Sequence, residues 1–102
     1  MTRIYKNTRD GWTAETLLHL DGGRVLNVLT MKRHNGQIAT SCQAGISTEH
    51  GFSFVFTQDF RRTINCSTNR CTEKNVRDLH KLALDQEAAL IDQANQFYQP
   101  EA

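Results

Sequence analysis

The sequence predicts an α+β domain: an antiparallel β-meander of four to five strands, followed by one long C-terminal α-helix packed on one face. Three observations predict it. Up to Thr72, apolar and polar residues alternate between tight turns, which is the period-two signature of strands. Over residues 73–98 the apolar positions recur at helical spacing, with no Gly or Pro. All twelve lysines and arginines lie at or before Lys81. Residues 1–72 carry nine basic against five acidic side chains, a net of +4; residues 73–102 carry three against six, a net of −3. The overall +1 thus joins a basic sheet to an acidic helix.

Taken in order, residues 12–20 set Trp12, Ala14, Thr16, Leu18 and Leu20 on one face of a first strand. Asp21-Gly22-Gly23 follows as turn chemistry, since glycine tolerates the positive φ that tight hairpins demand. A second strand spans residues 25–32. There Val25, Leu29 and Met31 oppose Leu26 and Val28, and apolar residues on both faces mark a central strand. Asn35-Gly36 is a strong hairpin dipeptide and leads into a third strand over residues 37–46. Ile38, Cys42, Ala44 and Ile46 take one of its faces; Ala39, Ser41 and Gln43 take the other.

After a turn at Glu49-His50-Gly51, Phe52, Phe54 and Phe56 alternate with Ser53, Val55 and Thr57 as a fourth strand. Three phenylalanines on one face are expected to line the core beneath a covering helix. Residues 61–66 form the last strand, with Arg62, Ile64 and Cys66 on one side. Thr72 is a good helix N-cap, and Glu73 beyond it is favourably placed against the helix dipole. A straight helix over residues 73–98 would be roughly 39 Å long.

Its apolar residues fall in two rows. Val76, Leu79, Ala83, Leu90, Ala94 and Phe97 form one; Leu84, Ala88, Ile91 and Tyr98 form the other. An arc wider than about 100° exceeds what a single sheet contact requires. The expectation is that the first row covers the sheet and the second mediates self-association into a homodimer. The alternative is a broad stripe sunk wholly into the core.

A chain of 102 residues predicts one domain over 1–102, divided into a meander (1–72) and a helix (73–98). With 38% apolar residues it has enough to form a core. No apolar run approaches the ~20 residues that span a bilayer, so no membrane partner is expected. The first residues lack the apolar segment of a secretory signal. Three cysteines, an odd count, suit reduced thiols, and the expected location is cytoplasmic.

The residues that carry chemistry elsewhere are scattered here. His19, His34, His50 and His80 belong to no nucleophile motif, and Gly22-Gly23 sits in a hairpin rather than a phosphate loop. Cys66 and Cys71 form one imperfect pair, short of the four ligands of a zinc site. Cys42 and Cys66 are expected as small core residues, and Cys71 as a loop thiol. No catalytic residue, metal or cofactor is expected, and the chain reads as non-enzymatic. A redox or metal role for Cys66 and Cys71 is the minor alternative.

The basic residues carry more. Lys32 and Arg33, with His34, cluster at one hairpin; Arg61 and Arg62 follow Phe60; Arg24 and Arg70 sit near strand ends. Thr13, His19, Thr30, Lys32, Ser41, Gln43, Ser53 and Thr57 suggest a polar, open sheet face, with Trp12, Tyr5 and Phe60 as candidate exposed aromatics. The expected function is a small binding module that contacts nucleic acid or a nucleoprotein complex through a basic sheet surface. Lys32, Arg33, Arg61 and Arg62 would meet phosphates, supported by Arg24 and Trp12. The alternative is a small regulatory or inhibitor protein, for example phage- or plasmid-encoded, that binds another protein through its acidic helix or a sheet edge. In order of elements the chain resembles the single-stranded-DNA binders of the transcription-coactivator and Whirly type, which place a helix after a curved four-stranded sheet. That resemblance is one of architecture, with no shared motif.

Overall fold

The computed structural model describes residues 2–7, 9, 11–48 and 54–99. Five strands form one antiparallel sheet in chain order: β1 (Thr2–Asn7), β2 (Gly11–His19), β3 (Arg24–Lys32), β4 (Ile38–Ser47) and β5 (Phe54–Ser67). Two helices follow, α1 (Glu73–Leu84) and α2 (Glu87–Tyr98). The α+β class and the antiparallel meander are therefore those the sequence predicts. No helix among the described residues is long and apolar enough to cross a membrane. The turn at Glu49-His50-Gly51, together with Phe52 and Ser53, lies outside the described residues.

Three elements differ from expectation. β1 is an additional edge strand, paired to β2 from Thr2↔Thr16 to Asn7↔Gly11. Its mostly exposed TRIYKN lacks the alternation that advertises a strand, and Ile4 is its one apolar contact with the buried clusters among the described residues. Gly11 opens β2 with φ +84°, where a Cβ would lie 2.9 Å from the Cys71 carbonyl.

The two expected strands after residue 51 are one, because β5 continues through a wide bulge. Gln43 pairs with Arg61 and Gly45 with Phe56, so residues 57–60 stand opposite Ala44 alone. Gln58 and Asp59 read as a break, yet side chains hold the excursion in place. The Thr57 hydroxyl donates to the Ala44 carbonyl (3.1 Å), and the Gln43 amide donates to the Thr57 carbonyl (3.2 Å). The bulge turns Phe60 inward, where it is 1% exposed. This corrects its expected place among the exposed aromatics.

The single long helix is in fact two. The Thr72 cap forms as expected, its hydroxyl accepting from the Asn75 N–H at 3.2 Å. After Leu84 the ladder tightens: the Gln86 N–H meets the Ala83 carbonyl, and α2 restarts with Leu90 N–H on the Gln86 carbonyl. No Gly or Pro marks the break. Asp85, Gln86 and Glu87 are exposed, so water satisfies their freed backbone groups at little cost. Burying Leu90 and Ala94 against Leu18, Leu20 and Phe60 outweighs helix propensities of only tenths of a kcal/mol per residue.

The helices cover the face formed by Ala14, Thr16, Leu18, Leu26, Val28, Thr30, Thr40, Cys42 and Ala44, all buried. Between two apolar clusters on this face stands a polar ladder. His80, 2% exposed, meets the Thr16 hydroxyl through Nε2 and the Thr30 hydroxyl through Nδ1, each at 2.7 Å. Thr30 continues to Thr40 (2.6 Å), and Thr16 to Thr2 (2.8 Å). Thr30 thus belongs to the covered interior rather than the open face. Burial lowers the His80 pKa to about 4, so the ring is neutral, one nitrogen donating and the other accepting.

Of the second helical row, Ile91 and Tyr98 pack against the domain's own core, Leu84 is half-buried and Ala88 is exposed. Cys42 is buried and Cys71 half-buried, but Cys66 is exposed, which corrects its expected place in the core. The residue lies on an edge strand, and its thiol donates to the Gln37 side chain at 3.2 Å.

Candidate nucleic-acid interface

Side chains alternate across a strand, so the residues between those of the covered face emerge on the opposite side of the sheet. Asn27, Leu29 and Met31 of β3 lie beside Gln43, Ser41 and Ala39 of β4 in direct register, and Gln43 lies beside Arg61 of β5. These residues line an open cavity of about 810 Å³. The β3–β4 hairpin closes one end with Lys32, Arg33, His34 and Asn35, and Phe56 stands at the other. The hairpin is held by Gly36 at φ +84° and by the Gln37 N–H donating to the Asn35 side chain at 3.0 Å.

Three of the six residues expected to bind nucleic acid meet here: Lys32, Arg33 and Arg61. Arg33 donates to the Thr63 hydroxyl at 3.4 Å, and none of the three makes an ion pair among the described residues. The described lining contains no carboxylate. Lys32 also borders a smaller depression of about 400 Å³, whose described lining includes Arg9 and Arg70. Positive charge therefore runs from the cavity round that end of the sheet.

The other three residues go elsewhere. The Arg62 guanidinium stacks over Phe60 at 4.8 Å and donates to the Arg61 carbonyl, and the Arg24 guanidinium lies 4.2 Å over the Tyr98 ring. Trp12 packs beside Ala14, Ile38 and Val76 in the smaller apolar cluster. Spacing along a strand put these residues near the sheet; which way each side chain goes depends on register and on the bulge.

The phenylalanines reverse their expected role. Phe54 and Phe56 do not line the helix-covered core; they pair with Ser47 and Gly45 on the open side. Their rings meet edge to face at 4.6 Å, and Phe56 is 45% exposed. Gly45 makes this possible, since a Cβ there would lie 2.9 Å from the Phe54 ring and 2.7 Å from the Val55 carbonyl. The covered core instead takes its aromatic from the bulge, as Phe60.

The deepest polar residue of the cavity, Asn27, is one that sequence reasoning missed. It is 3% exposed, and its Nδ2 donates to Glu15 Oε2 at 3.1 Å. Glu15 is held in turn by Arg3. A carboxylate only accepts, so this bond fixes which end of the Asn27 amide is which. Its Oδ1 is buried with no hydrogen-bond partner among the described residues. A lone Asn amid the apolar run Val25, Leu26, Val28 and Leu29 was the available signal.

The acidic Asp59 belongs to the other side of the bulge, where the Tyr98 hydroxyl donates to it at 2.7 Å. The neighbouring Thr57 and Tyr98 hydroxyls hold its pKa down at about 2, so it is ionised at neutral pH. Among the described residues no group of three His, Cys, Asp or Glu could hold a metal ion.

No family model matches this sequence, and neither a curated protein nor a solved structure does.

Proposed function

We propose that this protein binds single-stranded nucleic acid, alone or within a nucleoprotein complex, on the open face of its sheet. The observation that carries the reading is the convergence of Lys32, Arg33 and Arg61 with the exposed Phe56 ring around one cavity whose described lining lacks any carboxylate. Cations neutralise phosphates and release their counterions, while an exposed ring stacks on an unpaired base. The acidic α2 lies against the opposite face, so it does not oppose the approach of a polyanion. The self-association part of the reading rests on less: once Ile91 and Tyr98 pack inward, that row leaves Leu84 and Ala88 for a partner copy.

The test is fluorescence polarisation of a labelled single-stranded oligonucleotide across a salt series. Three phosphate contacts predict a log–log slope of about −2, and Arg61→Ala should reduce its magnitude by about 0.7. No polarisation change at low salt and micromolar protein overturns the proposal.

One observation favours the second reading, a regulator that binds another protein. β5 is an edge strand of 14 residues, with Val55 63% exposed beside Ile46 at 54%. Such an edge is a template for strand addition. A stoichiometric protein partner that survives nuclease treatment in a pull-down would select this reading over the first.

A further inference from the structure

The cavity holds a feature that phosphate binding does not use. Its most buried polar residue, Asn27, carries a carbonyl oxygen with no partner among the described residues, although a buried acceptor ordinarily has one. The amide cannot turn to relieve this, because its nitrogen end is committed to Glu15, itself held by Arg3. The oxygen therefore calls for a donor, and Asn27 lines the cavity, so the cavity is where that donor enters.

Around this unpartnered acceptor the site offers donors. The Gln43 amide is oriented by its bond to the Thr57 carbonyl, which uses one of its two amide hydrogens. The Ser41 hydroxyl and the Arg61 guanidinium line the same space. A volume of about 810 Å³ holds a nucleotide with room for its neighbours.

We infer that the open face reads a base as well as binding phosphates: Asn27 Oδ1 accepts a hydrogen bond from the exocyclic amino group of an unpaired cytosine or adenine stacked against Phe56. This deepens the proposed nucleic-acid reading and rests on it. The acceptor has almost no exposed area, so a donor must project from the ring and displace the side chains over it slightly to meet it. The N3–H of uracil or thymine lies between two carbonyl oxygens, which would be driven against Asn27 Oδ1. In cytosine and adenine the ring nitrogen beside the amino group accepts instead, which suits the Gln43 amide and the Ser41 hydroxyl.

The experiment compares the intact protein's affinity for two single-stranded 12-mers at neutral pH, one of deoxycytidine and one of deoxyuridine. They differ at the base by an amino group exchanged for an oxygen, with the neighbouring ring nitrogen protonated. About tenfold tighter binding of the cytosine strand is expected, with the same salt slope for both. Asn27→Leu should abolish the difference between the strands, weakening the cytosine strand by loss of its acceptor and not weakening the uracil strand, whose carbonyl oxygens no longer face Oδ1. That variant removes the unpartnered oxygen together with the bond from Nδ2 to Glu15 Oε2, but Glu15 keeps its Arg3 partner, so the protein is expected to fold with somewhat lower stability. If it does not fold, the comparison on the unaltered protein still decides. Equal, salt-dependent binding of both strands overturns base reading and leaves phosphate binding standing. Binding of neither strand overturns both.

Discussion

The two faces of the sheet are built from the same five strands and treat polar groups in opposite ways. On the covered face, polar side chains satisfy one another: Thr2, Thr16, His80, Thr30 and Thr40 form one continuous hydrogen-bonded ladder between apolar clusters. On the open face they are matched only in part: Asn27 Nδ2 donates to Glu15 and the Gln43 amide to the Thr57 carbonyl. Lys32, Arg33 and Arg61 make no ion pair among the described residues, and Asn27 Oδ1 has no partner there. A closed polar network fixes how α1 sits on the sheet, whereas an unfinished one is where, on the proposed function, a ligand would contribute. Burial alone does not separate them, since His80 and Asn27 are almost equally hidden at 2% and 3% exposure. What separates them is whether each donor and acceptor is matched.

The contrast predicts that damage to the covered face unfolds the protein, while damage to the open face leaves it folded. The largest effect is expected from Phe60→Ala. That ring is the largest fully buried side chain among the described residues and packs edge to face on Phe97 at 5.4 Å. Its loss should destabilise by about 3–5 kcal/mol in chemical denaturation. A cost below 1 kcal/mol would mean that the bulge does not anchor the core.

Next comes acid. His80 has a folded pKa of about 4 against an ordinary 6.5, so between these values the unfolded chain binds the extra proton. Its contribution to stability is complete above about pH 6.5 and is lost as the pH falls towards 4, on the order of 3 kcal/mol in all. Urea midpoints measured from pH 7 to pH 4 should show this slope, and His80→Leu should flatten it while lowering stability at pH 7. A slope unchanged in the variant would assign the acid sensitivity to other groups.

The smallest effect is expected on the open face. Lys32→Ala and Arg61→Ala should each change stability by no more than about 0.5 kcal/mol, because neither side chain is paired within the described fold. Thermal melts beside the salt-series binding would show whether function and stability separate as the two faces imply. A loss of several degrees would make these cations structural.

Much of the sheet was legible, because alternation and turn chemistry are local. Asp21-Gly22-Gly23 and Asn35-Gly36 marked two turns, and Ile38, Cys42 and Ala44 were rightly grouped on one face. The candidate site was half legible. Lys32 and Arg33 are neighbours in sequence, but Arg61 joins them only through the pairing of Gln43 with Arg61, a contact set by register. Asn27 and Phe56 were missed because alternation says that residues share a face without saying which face the helices cover.

The sequence by itself determined the α+β class, the meander, the Thr72 cap and the division between a basic sheet and an acidic C-terminal segment. Each follows from periodicity, turn residues or charge read along the chain. Tertiary structure decided the rest. It recruited the polar β1 as an edge strand, joined two short strands through a bulge that buries Phe60, and broke the helix so that Leu90 and Ala94 reach the core. It also sent Arg24 and Arg62 onto aromatic rings while leaving Lys32, Arg33 and Arg61 around the open cavity. The physical reason is that burial of apolar area and the matching of donors to acceptors are properties of surfaces, formed by residues tens of positions apart. The charge division survives in the fold, and the structure adds that the helices cover one face while Lys32, Arg33 and Arg61 line the cavity of the other.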